Sequence, residues 1–264
     1  MLYWIWDRSL TRQTSPYPEF PDSHQLGSMK DLFIADTHLL DPDDNRYRQL
    51  LELLEQQCGQ LRSLIMLGDI FEFWLGYRHT VFAAYLPLLN TLRRLQAAGT
   101  ELIFVEGNHD FHLGPYFSET LNCRILPDGG ALERDGRKIF IAHGDLVNPR
   151  DTGYRLLRRF LRHPWTRRLM LLVPPDIAWR VARWAGAKSS LKNGGRDRHR
   201  LPREDLFNYA RRYFSEGYDT VITGHFHVPL EHSENGNTLI ALGGWNTGPS
   251  YAILEDNVFT LYPS

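Results

Sequence analysis

The sequence predicts an α/β fold, an α/β/β/α sandwich carrying one helical insertion, and three observations point there. Up to about residue 105, apolar strand-like runs and helical runs alternate as β-α-β-α-β, the order of a parallel sheet with right-handed crossovers. Hairpin signals and short apolar runs then return on both sides of a long helical stretch. Finally, five of the apolar runs end in Asp, Asn or His where plain turn residues would serve. Open α/β sheets hold their ligands at the carboxyl ends of their strands, where all five endings fall.

Residues 1–28 mix Trp4, Trp6 and three prolines without a period, and lack the basic start and apolar stretch of a signal peptide. They read as a disordered extension or tag ahead of a domain spanning 29–264. Residues 32–35 form the first strand, running into Asp36-Thr37-His38. Leucines at 50, 51, 53, 54 and 61 mark a helical face over residues 43–61. Residues 64–67 run into Gly68-Asp69, and a second helix over 79–98 closes at Gly99. The strand Glu101–Val105 ends in Gly107-Asn108-His109-Asp110.

Asp135-Gly136 then turns a hairpin whose second strand, 138–142, ends in His143-Gly144-Asp145. The insertion, about 150–200, is helical and broken by Pro164 and Pro174-Pro175. A helix over 202–215 follows, then a strand over 221–223 that ends in Gly224-His225-Phe226-His227. A hairpin across Asn235-Gly236 and two strands joined by Asp256-Asn257 close the chain.

Composition narrows the class. The chain has 264 residues, 42% of them hydrophobic, enough for a full core. Cys58 and Cys123 form no CxxC motif, which argues against a disulfide scaffold and a cysteine zinc site. No run approaches the roughly 20 apolar residues of a membrane span. From Arg150 to Arg200, 14 Lys/Arg face three Asp, a local balance of +11 within a chain whose net charge is −1. Such segregation points to a surface that meets an anionic partner.

Taken singly, each strand ending has a bland reading: Gly-Asp is usually a turn, and Asp-x-His is common. Repeated behind five apolar runs, carboxylate, amide and imidazole groups are the ingredients of a metal site. The absence of thiolate favours Mn²⁺, Fe²⁺ or Zn²⁺ in an open site over closed structural zinc.

The ordered set Asp36-x-His38, Gly68-Asp69, Gly107-Asn108-His109-Asp110, His143 and Gly224-His225-x-His227 resembles the calcineurin-like metallophosphoesterase superfamily. The resemblance implies a metallophosphoesterase sandwich with two divalent ions. One would be held by Asp36, His38, Asp69 and His227, the other by Asp69, Asn108, His143 and His225, with Asp69 bridging. His109, held by Asp110, would stabilise the transition state or protonate a leaving oxygen.

A narrower set, Phe71-Glu72-x-Trp74-x-Gly76, Asp110-Phe111-x-Leu113-Gly114, His143-Gly144-Asp145, Asp151-Thr152-Gly153-Tyr154 and Leu242-Gly243-Gly244-Trp245-x-Thr247, is similar to the UDP-2,3-diacylglucosamine pyrophosphatases of lipid A biosynthesis. That family uses Mn²⁺ and cleaves a UDP-linked acylated sugar to UMP and 2,3-diacylglucosamine 1-phosphate. Its helical insertion caps the site and holds the acyl chains. The resemblance puts Asp151, Tyr154, Lys188, Ser189 and Lys192 against the substrate. This chain departs from the family at two positions, with His109 where Arg is usual and Thr37 where Leu is usual; an imidazole would also serve a less acidic leaving group.

Within the insertion, Leu156, Leu157, Phe160, Leu161, Trp165 and Leu169 interleave with Arg155, Arg158, Arg159 and Arg162, and residues 169–173 are wholly apolar. A basic amphipathic helix of this kind can lie on an anionic membrane. The plainer alternative is a packed helix pair with solvated arginines. The expectation is a cytoplasmic enzyme, peripheral on the inner membrane, with no obligate protein partner. Arg196, Arg198 and Arg200 beside Gly194-Gly195 would also suit a nuclease of the same superfamily. Nucleic acid offers residues 169–173 nothing to bury against, so none is expected as partner.

Overall fold

The computed structural model describes residues 29–192 and 201–263, with side chains as far as Trp184 in the helix that ends at Lys192. The expected extension 1–28 and the Gly/Arg loop holding Arg196, Arg198 and Arg200 lie outside the described residues. The first half runs β1 (Lys30–Ile34), α1 (Asn45–Gln56), β2 (Leu61–Met66), α2 (Leu86–Ala97), β3 (Glu101–Val105) and β4 (Arg124–Leu126). The hairpin β5 (Gly130–Arg134) and β6 (Arg137–Ala142) follows. Next come α3 (Thr152–Leu161), α4 (Pro164–Met170), α5 (Pro175–Lys192) and α6 (Arg203–Ser215). The last strands are β7 (Thr220–Thr223), β8 (Leu230–Glu234), β9 (Asn237–Ala241), β10 (Tyr251–Glu255) and β11 (Val258–Tyr262).

Two sheets result, ordered β11-β10-β1-β2-β3-β4 and β5-β6-β7-β9-β8. β1, β2, β3 and β4 are parallel, as are β6, β7 and β9. One face of the first sheet (Leu32, Ile34, Leu64, Met66) packs with α1 and α2 through Leu50, Leu54, Leu89 and Leu92. Its other face (Phe33, Ile65, Ile103) meets Ile139, Ile141, Ile222 and Ile240 of the second sheet. The far face of that sheet, with Val221 and Leu239, packs on Leu206 and Ala210 of α6. Period-two alternation in the central strands β1, β2, β3, β6 and β7 feeds two cores at once, which is why those strands are largely apolar.

Two helices differ from expectation at their starts. α1 begins at Asn45 because the Asp44 carboxylate accepts from Arg46 N at 2.9 Å, an N-cap. The second helix, expected from residue 79, begins at Leu86 after a 3-10 turn, Ala83–Tyr85, with Pro87 in its first turn. β4 was not expected; it has three residues, too few to show alternation.

The prolines divide the insertion into three helices, with Pro164 and Pro175 opening α4 and α5. Each helix leaves apolar side chains in water: Leu156 and Phe160 on α3, Trp165 and Leu169 on α4, Ile177, Val181 and Trp184 on α5. Tyr77 Oη donates to Val173 O at 2.7 Å, and Trp179 packs 5.0 Å from Phe82, so the insertion is anchored to the body on its inner side.

Candidate metal centre

The carboxyl ends of β1, β2, β3, β6 and β7 converge, and each delivers one segment of the site. Backbone bonds stitch the segments together: Asp36 N to Gly68 O at 3.1 Å, His38 N to Asp69 O at 2.9 Å, and Gly224 N to His143 O at 2.8 Å. The two sheets are joined directly where His225 N donates to Asp36 Oδ2 at 2.7 Å.

Asp36, His38, Asp69, His225 and His227 all have positive φ, between 46° and 75°. Non-glycine residues enter this left-handed region at a cost of order 1–3 kcal/mol each and stay there only when their surroundings hold them. Five strained residues in one cluster mark it as functional. Glycines permit the close approach of the loops. A Cβ on Gly107 would collide with the Asp69 carboxylate, and one on Gly224 would lie 2.6 Å from Asp36 Oδ2.

Asp69 stands at the middle. Its Oδ1 accepts from Asn108 N at 2.8 Å and from His109 N at 2.9 Å. Its Oδ2 then lies 3.7 Å from His38 Nε2 and 3.6 Å from His143 Nε2, between the two halves of the cluster. On one side His38 Nε2 faces His227 Nε2 at 3.3 Å, and His227 Nε2 lies 3.4 Å from Asp36 Oδ1. On the other, His143 Nε2 faces His225 Nδ1 at 3.2 Å and Asn108 Oδ1 at 2.9 Å. The structure thus brings all seven expected ligands together.

The donor set fits divalent metal. Asp36 Oδ1 is buried without a hydrogen-bond partner, a costly state for a carboxylate oxygen that a cation would relieve. Asp36, His38 and His227 can offer ligand atoms within 4.8 Å of one another, as can Asp36, Asp69 and His143. His109 joins His38 and Asp69 in a third such group.

Electrostatics are strained in the same direction. Burial raises the Asp69 carboxyl, but the charges of His143, His109 and His38 outweigh it and hold it well below the usual range. Burial works against a charged His143, yet Asp69 and Asp36 hold it up at about 9. His225 is pushed down to about 4 by burial and by His143.

Asp110 does not do what the sequence suggested. Its oxygens accept from Asp69 N, Ile70 N, Phe71 N and Gly107 N, so it ties together the two loops that carry Asp69 and Asn108. Four converging N–H groups left no lone pair aimed at the imidazole. His109 is held by Glu72, whose carbonyl lies 2.9 Å from Nδ1, and Glu72 Oε2 also takes His38 Nδ1 at 3.1 Å. Glu72 stands in the motif Phe71-Glu72-x-Trp74-x-Gly76 without an expected role there; a carboxylate three residues after Asp69 was the available signal.

Asp151 and Tyr154 spend their polar atoms on the protein. Asp151 caps α3 by accepting from Tyr154 N, and Tyr154 Oη donates to Asp145 Oδ2 at 2.5 Å. The side chains of Lys188, Ser189 and Lys192 lie outside the described residues. Two of the four arginines expected to face a membrane turn inward. Arg158 pairs with Asp145 and Asp128, and Arg162 with Glu106, because those carboxylates line the inner side of α3.

Residues 29–229 match the family model of the calcineurin-like phosphoesterases. A UDP-2,3-diacylglucosamine hydrolase of Ralstonia nicotianae is 31% identical over 88% of this chain and 91% of its own. Proteins of the same name from Pseudomonas syringae and Yersinia pseudotuberculosis are each 31% identical, over 81% and 87% of this chain and 88% and 97% of their own.

Proposed function

This chain belongs to the calcineurin-like phosphoesterase family and is a hydrolase, and from that premise we propose that it cleaves the diphosphate of UDP-2,3-diacylglucosamine. The products would be UMP and 2,3-diacylglucosamine 1-phosphate, as in lipid A biosynthesis. The relatives above are named as hydrolases of UDP-2,3-diacylglucosamine, which supports the choice of substrate. The observation that favours an acylated substrate is the insertion, whose three helices and the α4–α5 link expose Leu156, Phe160, Trp165, Leu169, Leu172 and Ile177. Exposed apolar side chains in such number mark a binding surface.

Family membership implies divalent metal ions; we propose two, as Mn²⁺, with Asp69 among the residues that would hold each of them. Bound there, the ions would supply a nucleophilic water at neutral pH and charge stabilisation for the phosphoryl oxygens. The residues do the rest. Asp36, His38 and His227 form one ligand group, and Asn108, His143 and His225 the other. Glu72 fixes the His38 and His109 rings from behind through their Nδ1 atoms. His109 Nε2 is then the nitrogen that faces a substrate, placed to hand a proton to the oxygen that leaves when the P–O–P bridge breaks. Burial disfavours its charged form, but in the metal-free chain Asp69 and Glu72 hold its pKa above the ordinary value.

The same imidazole supports a second reading, hydrolysis of another phosphodiester or pyrophosphate with a less acidic leaving group. Among the described residues no helix is long and apolar enough to cross a membrane. We place the enzyme at the cytoplasmic face of the inner membrane, seated by the exposed apolar side chains of the insertion.

The deciding experiment compares UDP-2,3-diacylglucosamine with the deacylated sugar nucleotide under Mn²⁺. Burying acyl chains contributes on the order of 0.8 kcal/mol per CH₂, so kcat/KM should fall by orders of magnitude without them. Equal kcat/KM for both would overturn the lipid assignment and leave the second reading.

A further inference from the structure

Behind α3, on the side away from its apolar residues, lies a cleft of about 1150 Å³ between α3 and α4 and the segment leading from the metal loop to β4. Its walls contain none of the seven metal-ligand candidates. Six arginines line it, and they divide into two kinds. Arg158 and Arg162 are neutralised by Asp145, Asp128 and Glu106. Arg155, Arg159, Arg167 and Arg168 have no carboxylate partner among the described residues. Arg155 donates to the carbonyls of Leu146 and Asn148, and Arg168 lies over the Trp165 ring at 5.2 Å. Glu119 is the one lining carboxylate that no arginine engages.

Four guanidinium groups on a concave surface that offers them only Glu119 as free counter-charge focus a positive potential into it. Their planar forks match phosphate oxygens two at a time, better than an ammonium would. His112 on the facing wall is held below its ordinary pKa by burial, with smaller contributions from Arg167 and Arg162 against the opposing Leu161 carbonyl and Glu106. The volume exceeds the few hundred Å³ of a simple ion site and suits a phosphate with a group attached.

We propose that this cleft is an anion site, separate from the metal centre, that takes a phosphate-bearing group between Arg159 and Arg167. This goes beyond the hydrolysis proposed above and does not depend on it. The group can come from a soluble phosphate or from a phospholipid headgroup, and one variant distinguishes them. In Arg159→Ala/Arg167→Ala, calorimetric titration of the Mn²⁺-loaded full chain with inorganic phosphate should lose one binding event, weakened about tenfold or more. The event at the metal centre should remain. If the source is a headgroup, partition onto phosphatidylglycerol-containing vesicles should instead fall about thirty-fold, while partition onto phosphatidylcholine alone is unchanged. Either loss supports the site and names its source. In both cases hydrolysis of bis(p-nitrophenyl) phosphate should match the unmutated chain. A variant indistinguishable from the unmutated protein in both binding arms overturns the proposal, as does a fall in hydrolysis together with thermal stability.

Discussion

Nδ1 of His109 lies 2.9 Å from the backbone carbonyl of Glu72. A carbonyl only accepts, so Nδ1 carries a proton and Nε2 is the atom free to act. His109→Ala should therefore lower kcat by about 10²–10⁴-fold and keep the metal. The loss should grow as the leaving group of a phosphodiester series becomes less acidic. Loss of metal by elemental analysis would instead make His109 a ligand, as its grouping with His38 and Asp69 permits.

Asp69 Oδ2 lies within 3.7 Å of imidazole nitrogens on both sides of the cluster. Asp69→Ala should empty both metal positions and abolish turnover while the chain stays folded, since β2 behind it is apolar and intact. Two metal equivalents retained in the folded variant would refute the bridging position.

Metal binding should release protons. In the metal-free protein His143 is held up at about 9 by Asp69 and Asp36 against the opposing effect of burial, so at pH 7 it carries a proton that a metal ion must displace. Mn²⁺ affinity should then rise with pH until about 9 and level off above it. Calorimetry in buffers of different ionisation enthalpy measures the released protons; none released at pH 7 would contradict the assignment of His143 as a ligand.

Arg162 reaches from α3 to the Glu106 carboxylate at 3.0 Å and to Gly107 O at 2.8 Å, one residue before Asn108. Both partners are largely buried, with side chains 13% and 7% exposed. Arg162→Ala leaves Glu106 charged and unpaired, a loss of about 3–5 kcal/mol in denaturant unfolding. Adding Glu106→Gln should recover part of it. A cost under about 1 kcal/mol would show that the pair does not hold the insertion to the metal loop.

The insertion can be tested apart from the chemistry. Phe160 and Leu172 are 63% and 78% exposed. Phe160→Asp/Leu172→Asp should reduce vesicle binding and the preference for acylated substrate roughly tenfold or more, since each large apolar side chain buried is worth about 1.5–3 kcal/mol. Turnover of bis(p-nitrophenyl) phosphate should be unchanged. Unaltered vesicle binding would leave these side chains without the proposed role.

The sequence by itself determined most of the strands and which polar residues gather at their carboxyl ends. Each apolar run that ends in Asp, Asn or His became a parallel strand with those residues at its carboxyl end, because strand period and turn chemistry are local properties. Pro164 and Pro175 opened helices for the same reason, and Asn235-Gly236 turned the β8–β9 hairpin. Tertiary structure decided what lies opposite what. β10 returns to pair antiparallel with β1, a partner over 200 residues away that no local period specifies. Asp110 was taken by four backbone N–H groups and His109 was given to Glu72, since hydrogen-bond partners depend on loops meeting in space. Arg158 and Arg162 turned inward although their spacing matches that of solvated arginines, because Asp145, Asp128 and Glu106 arrive from β-strand ends elsewhere in the chain. A charge in a sequence states its sign; only the fold supplies the counter-charge that decides which way it points.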